Sequence, residues 1–183
     1  MTEKEKMLAG MLYTAFGEEL GREYVAAKKL TAAYNATAED EPEKRESLLK
    51  ELLGNVGKEC AIKPPFHCDY GKNIFLGDKV FINYECIVLD VCKVTIGNNV
   101  LIGPRVNLIA ATHPLDKDTR ISGLEYGAPI TICDNVWLGA GVTVNPGVTI
   151  GENSVIGSGS VVTRDIPANS VAVGVPCRVI KTL

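Results

Sequence analysis

Residues 130–162 read ITICDN VWLGAG VTVNPG VTIGEN SVIGSG SVV. Set out in sixes, the third position is always aliphatic: Ile132, Leu138, Val144, Ile150, Ile156 and Val162. The first position is Ile130, Val136, Val142 and Val148, then Ser154 and Ser160. Neither a helical period nor strict alternation reproduces this pattern, whereas a repeat of six describes a short strand followed by a turn. The same phase holds upstream at Leu76, Ile82 and Val88, and at Ile96, Ile102 and Leu108. Glycine often follows the aliphatic residue, as at Gly77, Gly97, Gly103, Gly139, Gly151 and Gly157. Asn and Asp gather in the turn behind it, where they tolerate left-handed backbone.

Three strands of this kind close a triangular coil, and one aliphatic side chain per strand fills the prism. The coils expected are 76-82-88, 96-102-108, 132-138-144 and 150-156-162, a parallel β-helix about 19 Å tall at roughly 4.8 Å per coil. Val88 to Ile96 is two residues too long for the repeat, which puts a bulge at Val91-Cys92. Between Leu108 and Ile132 the in-phase residues are Pro114, Arg120 and Tyr126, none of which can serve as a core rung. Residues 112–128 are therefore expected as a loop extruded from one corner, and a loop of that length in a compact repeat usually has a function. Residues 165–183 break the repeat and are expected to fold back over the last coil.

Residues 1–53 differ in kind. They hold eight Lys and Arg against eleven Asp and Glu, the whole formal charge of −3. Met7, Leu8, Met11 and Leu12 recur at helical spacing, as do Tyr24, Ala27, Leu30 and Tyr34. Pro42 suits a first helical position, with Asp40 or Glu41 as cap and Leu48, Leu49, Leu52 and Leu53 as the apolar stripe. The expected organisation is a helical segment 1–53 that covers the open end of a β-helix domain 54–183.

Composition excludes several classes. Of the 183 residues, 46% are hydrophobic and 22% charged, too apolar for a disordered chain. No run approaches the ~20 apolar residues of a membrane span, and no apolar stretch of signal-peptide type follows Met1. A cytoplasmic protein is expected. The acidic balance disfavours nucleic acid as a partner. The six cysteines form no C-x-x-C pair and read as reduced, small and buried.

The pattern resembles the left-handed β-helix hexapeptide-repeat acyltransferases, and within them the maltose/galactoside O-acetyltransferases. The similarity runs over the whole chain. It rests on Glu5-Lys6-Met7-Leu8-Ala9-Gly10, Cys68-Asp69-Tyr70-Gly71, Asn83, Leu89-Asp90, Ala111-Thr112-His113-Pro114, Asn135-Val136-Trp137-Leu138-Gly139, Asn145-Pro146-Gly147 and Gly174-Val175-Pro176-Cys177-Arg178. The left hand comes from the resemblance, since the usual crossover rule favours the right. What the resemblance implies is transfer of an acetyl group from acetyl-CoA to a sugar hydroxyl, in a homotrimer with sites between subunits and with no metal.

O-acetylation needs a base for the acceptor hydroxyl, and an imidazole suits that task. Of the two histidines, His113 stands where the repeat gives way to the loop, and the resemblance makes it the base; His67 reads as structural. The resemblance also implies roles for Asn83 beside acceptor, cofactor or developing oxyanion, and for Asp69, Leu101 and Glu125 on the acceptor side. Glu125 can instead orient His113. Ala140, Ser158, Thr163 and Arg164 match positions along the acetyl-CoA groove, and Arg178 and Lys181 match positions near its phosphates, where cations make physical sense. Trp137 is packing or a channel wall. Two departures bear on the acceptor: galactoside members carry acids where this chain has Ala15 and Val91, although Asp90 is adjacent, so maltose- or glucose-like acceptors are favoured. The alternatives are a non-sugar acceptor such as serine or an antibiotic, a non-catalytic scaffold, and a γ-type carbonic anhydrase, which needs about three histidine ligands.

Overall fold

The computed structural model describes all 183 residues. The chain opens with α1 (Glu3–Leu8), β1 (Tyr13–Thr14), α2 (Glu18–Asn35) and α3 (Pro42–Leu52). It then enters the prism through β2 (Ala61–Ile62), β3 (Phe66–Cys68), β4 (Ile74–Leu76), β5 (Phe81–Ile82) and β6 (Cys86–Leu89). Next come β7 (Val94–Ile96), β8 (Leu101–Ile102) and β9 (Asn107–Ile109). An excursion follows, made of β10 (Ala111–Thr112), α4 (Lys117–Ile121) and β11 (Leu124–Gly127). The prism resumes with β12 (Ile130–Ile132), β13 (Trp137–Leu138), β14 (Thr143–Val144), β15 (Thr149–Ile150), β16 (Val155–Ile156) and β17 (Val161–Val162). It closes with β18 (Ser170–Val173) and β19 (Arg178–Thr182).

Three parallel sheets form the faces. The first face stacks β4, β7, β12 and β15; the second stacks β2, β5, β8, β13, β16 and β18; the third stacks β3, β6, β9, β14 and β17. All twelve expected rungs pair in register, as in Leu76 on Ile96 on Ile132 on Ile150. The fold is the parallel β-helix that the repeat predicts, but it is taller than four coils. Ile62 and Cys68 stack on Ile82 and Val88 at one end, and Ile166 and Ala172 stack on Ile150 and Ile156 at the other. Six strands on the second face make about 29 Å at the same roughly 4.8 Å per coil. Residues 170–173 thus continue the coil, and only β19 turns back, pairing antiparallel with β18.

Where glycine follows a rung, it has a steric cause. A Cβ at Gly97 would lie 2.8 Å from Asp134 N, and one at Gly139 would lie 2.6 Å from Ser158 N, both in the next coil. Left-handed backbone falls two residues later, at Asn99, Asn135 and Asn153, with φ of 55°, 60° and 61°, and at Asn169. Their side chains form a ladder up the corner: Asn99 Nδ2 donates to Asn135 Oδ1 (3.1 Å), Asn135 to Asn153 (2.9 Å) and Asn153 to Asn169 (2.8 Å). One slot earlier, Asp78, Asn98 and Asp134 each accept a backbone N–H of the coil before, at 2.8 Å.

The helices cover the first coil, whose edge would otherwise be bare. Asn35 of α2 behaves as a strand partner for β3, donating to Phe66 O and accepting from Phe66 N, both at 2.9 Å. Tyr34 donates to Ile62 O, and Lys28 Nζ to Cys68 O. Not every helical expectation holds. Met11 and Leu12 lie outside α1, because Gly10 (φ 70°) ends it: Gly10 N bonds Met7 O and Met11 N bonds Lys6 O, the paired bonds of a glycine-terminated helix. Pro42 does begin α3 after Glu41, but the Glu41 carboxylate accepts from Ala38 N and leaves the helix start uncapped. All six cysteines are free; four are buried, whereas Cys60 and Cys133 are half-exposed. No helix is long and apolar enough to cross a membrane.

The corner ladder gives a test. Asn135→Ala forfeits both side-chain bonds and puts a residue with no local polar group into left-handed backbone that Asn tolerates better, so it should cost about 1–2 kcal/mol. Asn135→Gly keeps the backbone relaxed and should cost less than half of that. Urea midpoints of the two variants, measured side by side, separate the ladder from the backbone.

Candidate active site

The excursion at residues 110–129 leaves from the corner between the third and first faces. It is an ordered hairpin: β10 pairs antiparallel with β11, and β1 from the N-terminal segment adds to the other edge of β11. A Cβ at Gly127 would collide with Ala110 O and Val91 Cγ2, both at 2.6 Å. The bulge at Val91-Cys92 is thus the seat of the hairpin, and Cys92 Sγ donates to Met7 O (3.2 Å), fixing α1 beside it.

At this corner a cavity of about 410 Å³ brings together three expected residues, His113, Asp69 and Glu125. Pro114 is buried and turns His113 outward, its side chain 61% exposed. Glu125 Oε2 lies 4.0 Å from His113 Nδ1, and Glu125 Oε1 accepts a hydrogen bond from Tyr13. Most of the remaining wall is apolar or aromatic, including Ala15, Phe16, Tyr24, Tyr70 and Val91. Burial pushes the Asp69 carboxyl above its ordinary range, and Lys28 pulls against that shift from 3.7 Å. Lys28 Nζ also lies over the Tyr24 ring, 4.5 Å from its centre. Burial, aided by Asp69, holds the Tyr70 phenol well up.

Asp90 does not replace the acid absent at Val91. It is fully buried and faces inward, accepting from the backbone N–H groups of Asp69 (3.0 Å), Tyr70 (2.9 Å) and Asn73 (3.3 Å). It shapes the turn that presents Asp69. Burial pushes it up to about 7, against the opposing pull of those N–H groups.

The other expected residues lie elsewhere on the chain. Asn83, Ala140 and Ser158 occupy the corner between the second and third faces, where Gly159 N bonds Ala140 O at 2.8 Å. Leu101 and Trp137 are half-exposed neighbours on the outer side of the second face. Thr163 and Arg164 follow β17, back at the hairpin corner, and Arg178 and Lys181 are exposed on β19. Within the chain, a face of the prism therefore separates His113 from Asn83. His67 points outward from β3 and is exposed. A larger concavity of about 720 Å³, between α3 and residues 55–63, holds none of the expected residues, and its Arg45 and Lys63 are paired with Glu39 at 3.1 Å. No three His, Cys, Asp or Glu side chains cluster closely enough to hold a metal ion.

Tyr13, Phe16, Tyr24 and Lys28 at this site escape sequence reasoning. Tyr24 reads as one apolar position in a helix stripe, and Tyr13 follows a stretch that looks helical. Only the glycine at position 10 signals that the chain has changed direction before Tyr13.

Comparisons with known proteins give the family and the fold. The "maltose acetyltransferase hexapeptide capping motif" matches residues 6–57, and "bacterial transferase hexapeptide (six repeats)" matches residues 129–164. The galactoside O-acetyltransferase of Escherichia coli (strain K12) is 46% identical over 100% of this chain and 90% of its own. The crystal structure of a maltose O-acetyltransferase from Clostridium difficile 630 superposes with a TM-score of 0.99 at 56% identity, covering 100% of this chain and 98% of the other. A galactoside acetyltransferase in complex with coenzyme A gives 0.96 at 47% identity, covering 100% and 91%.

Asp90 sets a pH dependence. The folded protein holds its proton to about pH 7, whereas an unfolded aspartate ionises near pH 4. Between those values the folded state binds the extra proton, so this group's contribution to stability falls as pH rises from about 4 to about 7. Asp90→Asn should flatten that fall in urea-denaturation midpoints taken across the range. Asp90→Ala, which strands three backbone N–H groups, should destabilise by about 3 kcal/mol or more at any pH.

Proposed function

The chain belongs to the maltose/galactoside O-acetyltransferase family of hexapeptide-repeat acyltransferases and is an acetyl-CoA-dependent O-acetyltransferase; we propose that its acceptor is a hydroxyl of a glucose- or maltose-like sugar and that His113 is the general base. The observation that carries this reading is the meeting of His113, Glu125 and Asp69 in one cavity at the base of the excursion.

Glu125 beside Nδ1 favours the tautomer with its proton there, leaving Nε2 free to act as base. The acceptor hydroxyl gives its proton to Nε2 as its oxygen attacks the thioester carbonyl. The Asn83 amide is suited to donate to the oxyanion that forms. Collapse expels the coenzyme A thiolate, which takes the proton back from the imidazolium, so the base ends the cycle as it began. Asp69 is placed to accept from sugar hydroxyls. Ala15 and Val91 leave two stretches of wall without the acids of galactoside members, and Asp90 is engaged elsewhere. That wall suits a glucose-type sugar.

His113 and Asn83 lie on different corners, so a complete site needs a second prism alongside. A homotrimer would supply it, with Asn83, Ala140 and Ser158 of one subunit lining the acetyl-CoA groove that His113 of the next faces. Arg178 and Lys181 on β19, near one end of that groove, suit the nucleotide phosphates.

Thiol release from acetyl-CoA, measured with glucose, maltose, a galactoside, serine and chloramphenicol, tests the acceptor. Glucose or maltose should lead, and His113→Ala should lose about 10²–10⁴ of the rate. Release led by serine or chloramphenicol would overturn the sugar assignment. Subunit sharing has its own test: unfolding and refolding His113→Ala together with Asn83→Ala should restore activity that neither variant has alone. No recovery would place both residues in the same subunit's chemistry.

A further inference from the structure

We propose that Tyr13 is a positioning residue for the acetyl transfer, the outer member of a Tyr13–Glu125–His113 chain, and that the N-terminal segment therefore completes the active site as well as covering the prism. The proposal rests on the reading of His113 as base. Tyr13 and Glu125 are directly opposite in the β1–β11 pairing. The Tyr13 side chain is fully buried, and its hydroxyl donates to Glu125 Oε1. The other carboxylate oxygen, Oε2, is the one that faces His113 Nδ1 at 4.0 Å.

The chemistry follows from that division of the two oxygens. A free glutamate rotates about its last torsion and offers either oxygen in any direction. With Oε1 held by Tyr13, Oε2 is aimed at the imidazole. Burial and the adjacent Glu125 hold the Tyr13 phenol far above its ordinary range, so it stays a donor throughout the working pH range. The strand that carries Tyr13 is itself anchored: Thr14 N donates to Glu3 Oε2 at 2.7 Å, and a Cβ at Gly10 would press on Gly127 O at 2.9 Å. A base oriented by a second group, itself fixed by a third, is the general arrangement of activated side chains.

Tyr13→Phe removes only the hydroxyl. It should lower kcat about 10-fold or more while the KM for acetyl-CoA stays within twofold, the scale of loss when a supporting hydrogen bond is removed. The deciding measurement is the double-mutant cycle with Glu125→Gln. If Tyr13 acts through Glu125, adding Tyr13→Phe to Glu125→Gln should change kcat less than twofold. The proposal is overturned if Tyr13→Phe keeps the parent kcat, or if it costs the same factor in both backgrounds, as a generally loosened fold would. Failure of the underlying reading looks different: His113→Ala, assayed beside the others, would then retain activity.

Discussion

The distance between stacked coils governs this molecule. The residue after a rung donates its N–H to the rung carbonyl of the coil beyond, and where that residue is glycine, as from Gly77 N to Ile96 O and from Gly151 N to Ile166 O, the bond is 2.8 Å. At that spacing no Cβ fits behind the rung on several coils, and the turn must recover its direction two residues later in left-handed backbone. Interior positions take one aliphatic side chain each, and the faces stay flat. Chemistry can therefore be added only where a corner opens. The corner at Val91-Cys92 does so: its two extra residues seat a hairpin that the regular coil has no room for.

That same regularity decides what the sequence discloses. Twelve rungs, the bulge and the place of the excursion are legible because each repeats, or interrupts, a fixed period, although the excursion's first strand begins at Ala111, before the expected residue 112. The end coils are not, since Cys68, Ile166 and Ala172 carry the rung role without the surrounding hexapeptide. The hairpin reads as a gap because antiparallel pairing leaves no mark at a spacing of six. At the site, His113, Asp69 and Glu125 were legible through motif and resemblance. Tyr13 was not, because its partner lies 112 positions away and no local pattern links them. Asp90 was legible as an acid but not as an inward-facing one. Its direction depends on three backbone N–H groups of the turn at residues 69–73, which only the folded chain assembles.

The cavity beside His113 is mainly an apolar and aromatic enclosure with a few polar groups, the usual make-up of a small-molecule site. Removal from water raises Asp69 and Tyr70 together, and Lys28 is the cation set against the shift of Asp69. Apolar Ala15 and Val91 keep the number of carboxylates low. Further acids here would add like charge close to Asp69 and Glu125, each paying for its own desolvation.

The pairing of β1 with β11 has a consequence for how the protein matures. Successive coils touch at separations of 16–36 residues, so the prism can grow in the order the ribosome delivers it, each new layer docking on the last. The N-terminal strand must wait until residues 124–127 have emerged before it finds its partner. The longest loop closure among the strand pairs is thus spent on the corner that holds His113 and Glu125. The corner can thus be assembled midway, on coils that end at Ile109, and the later coils from β12 to β18 then stack on a shaft that already carries its hairpin.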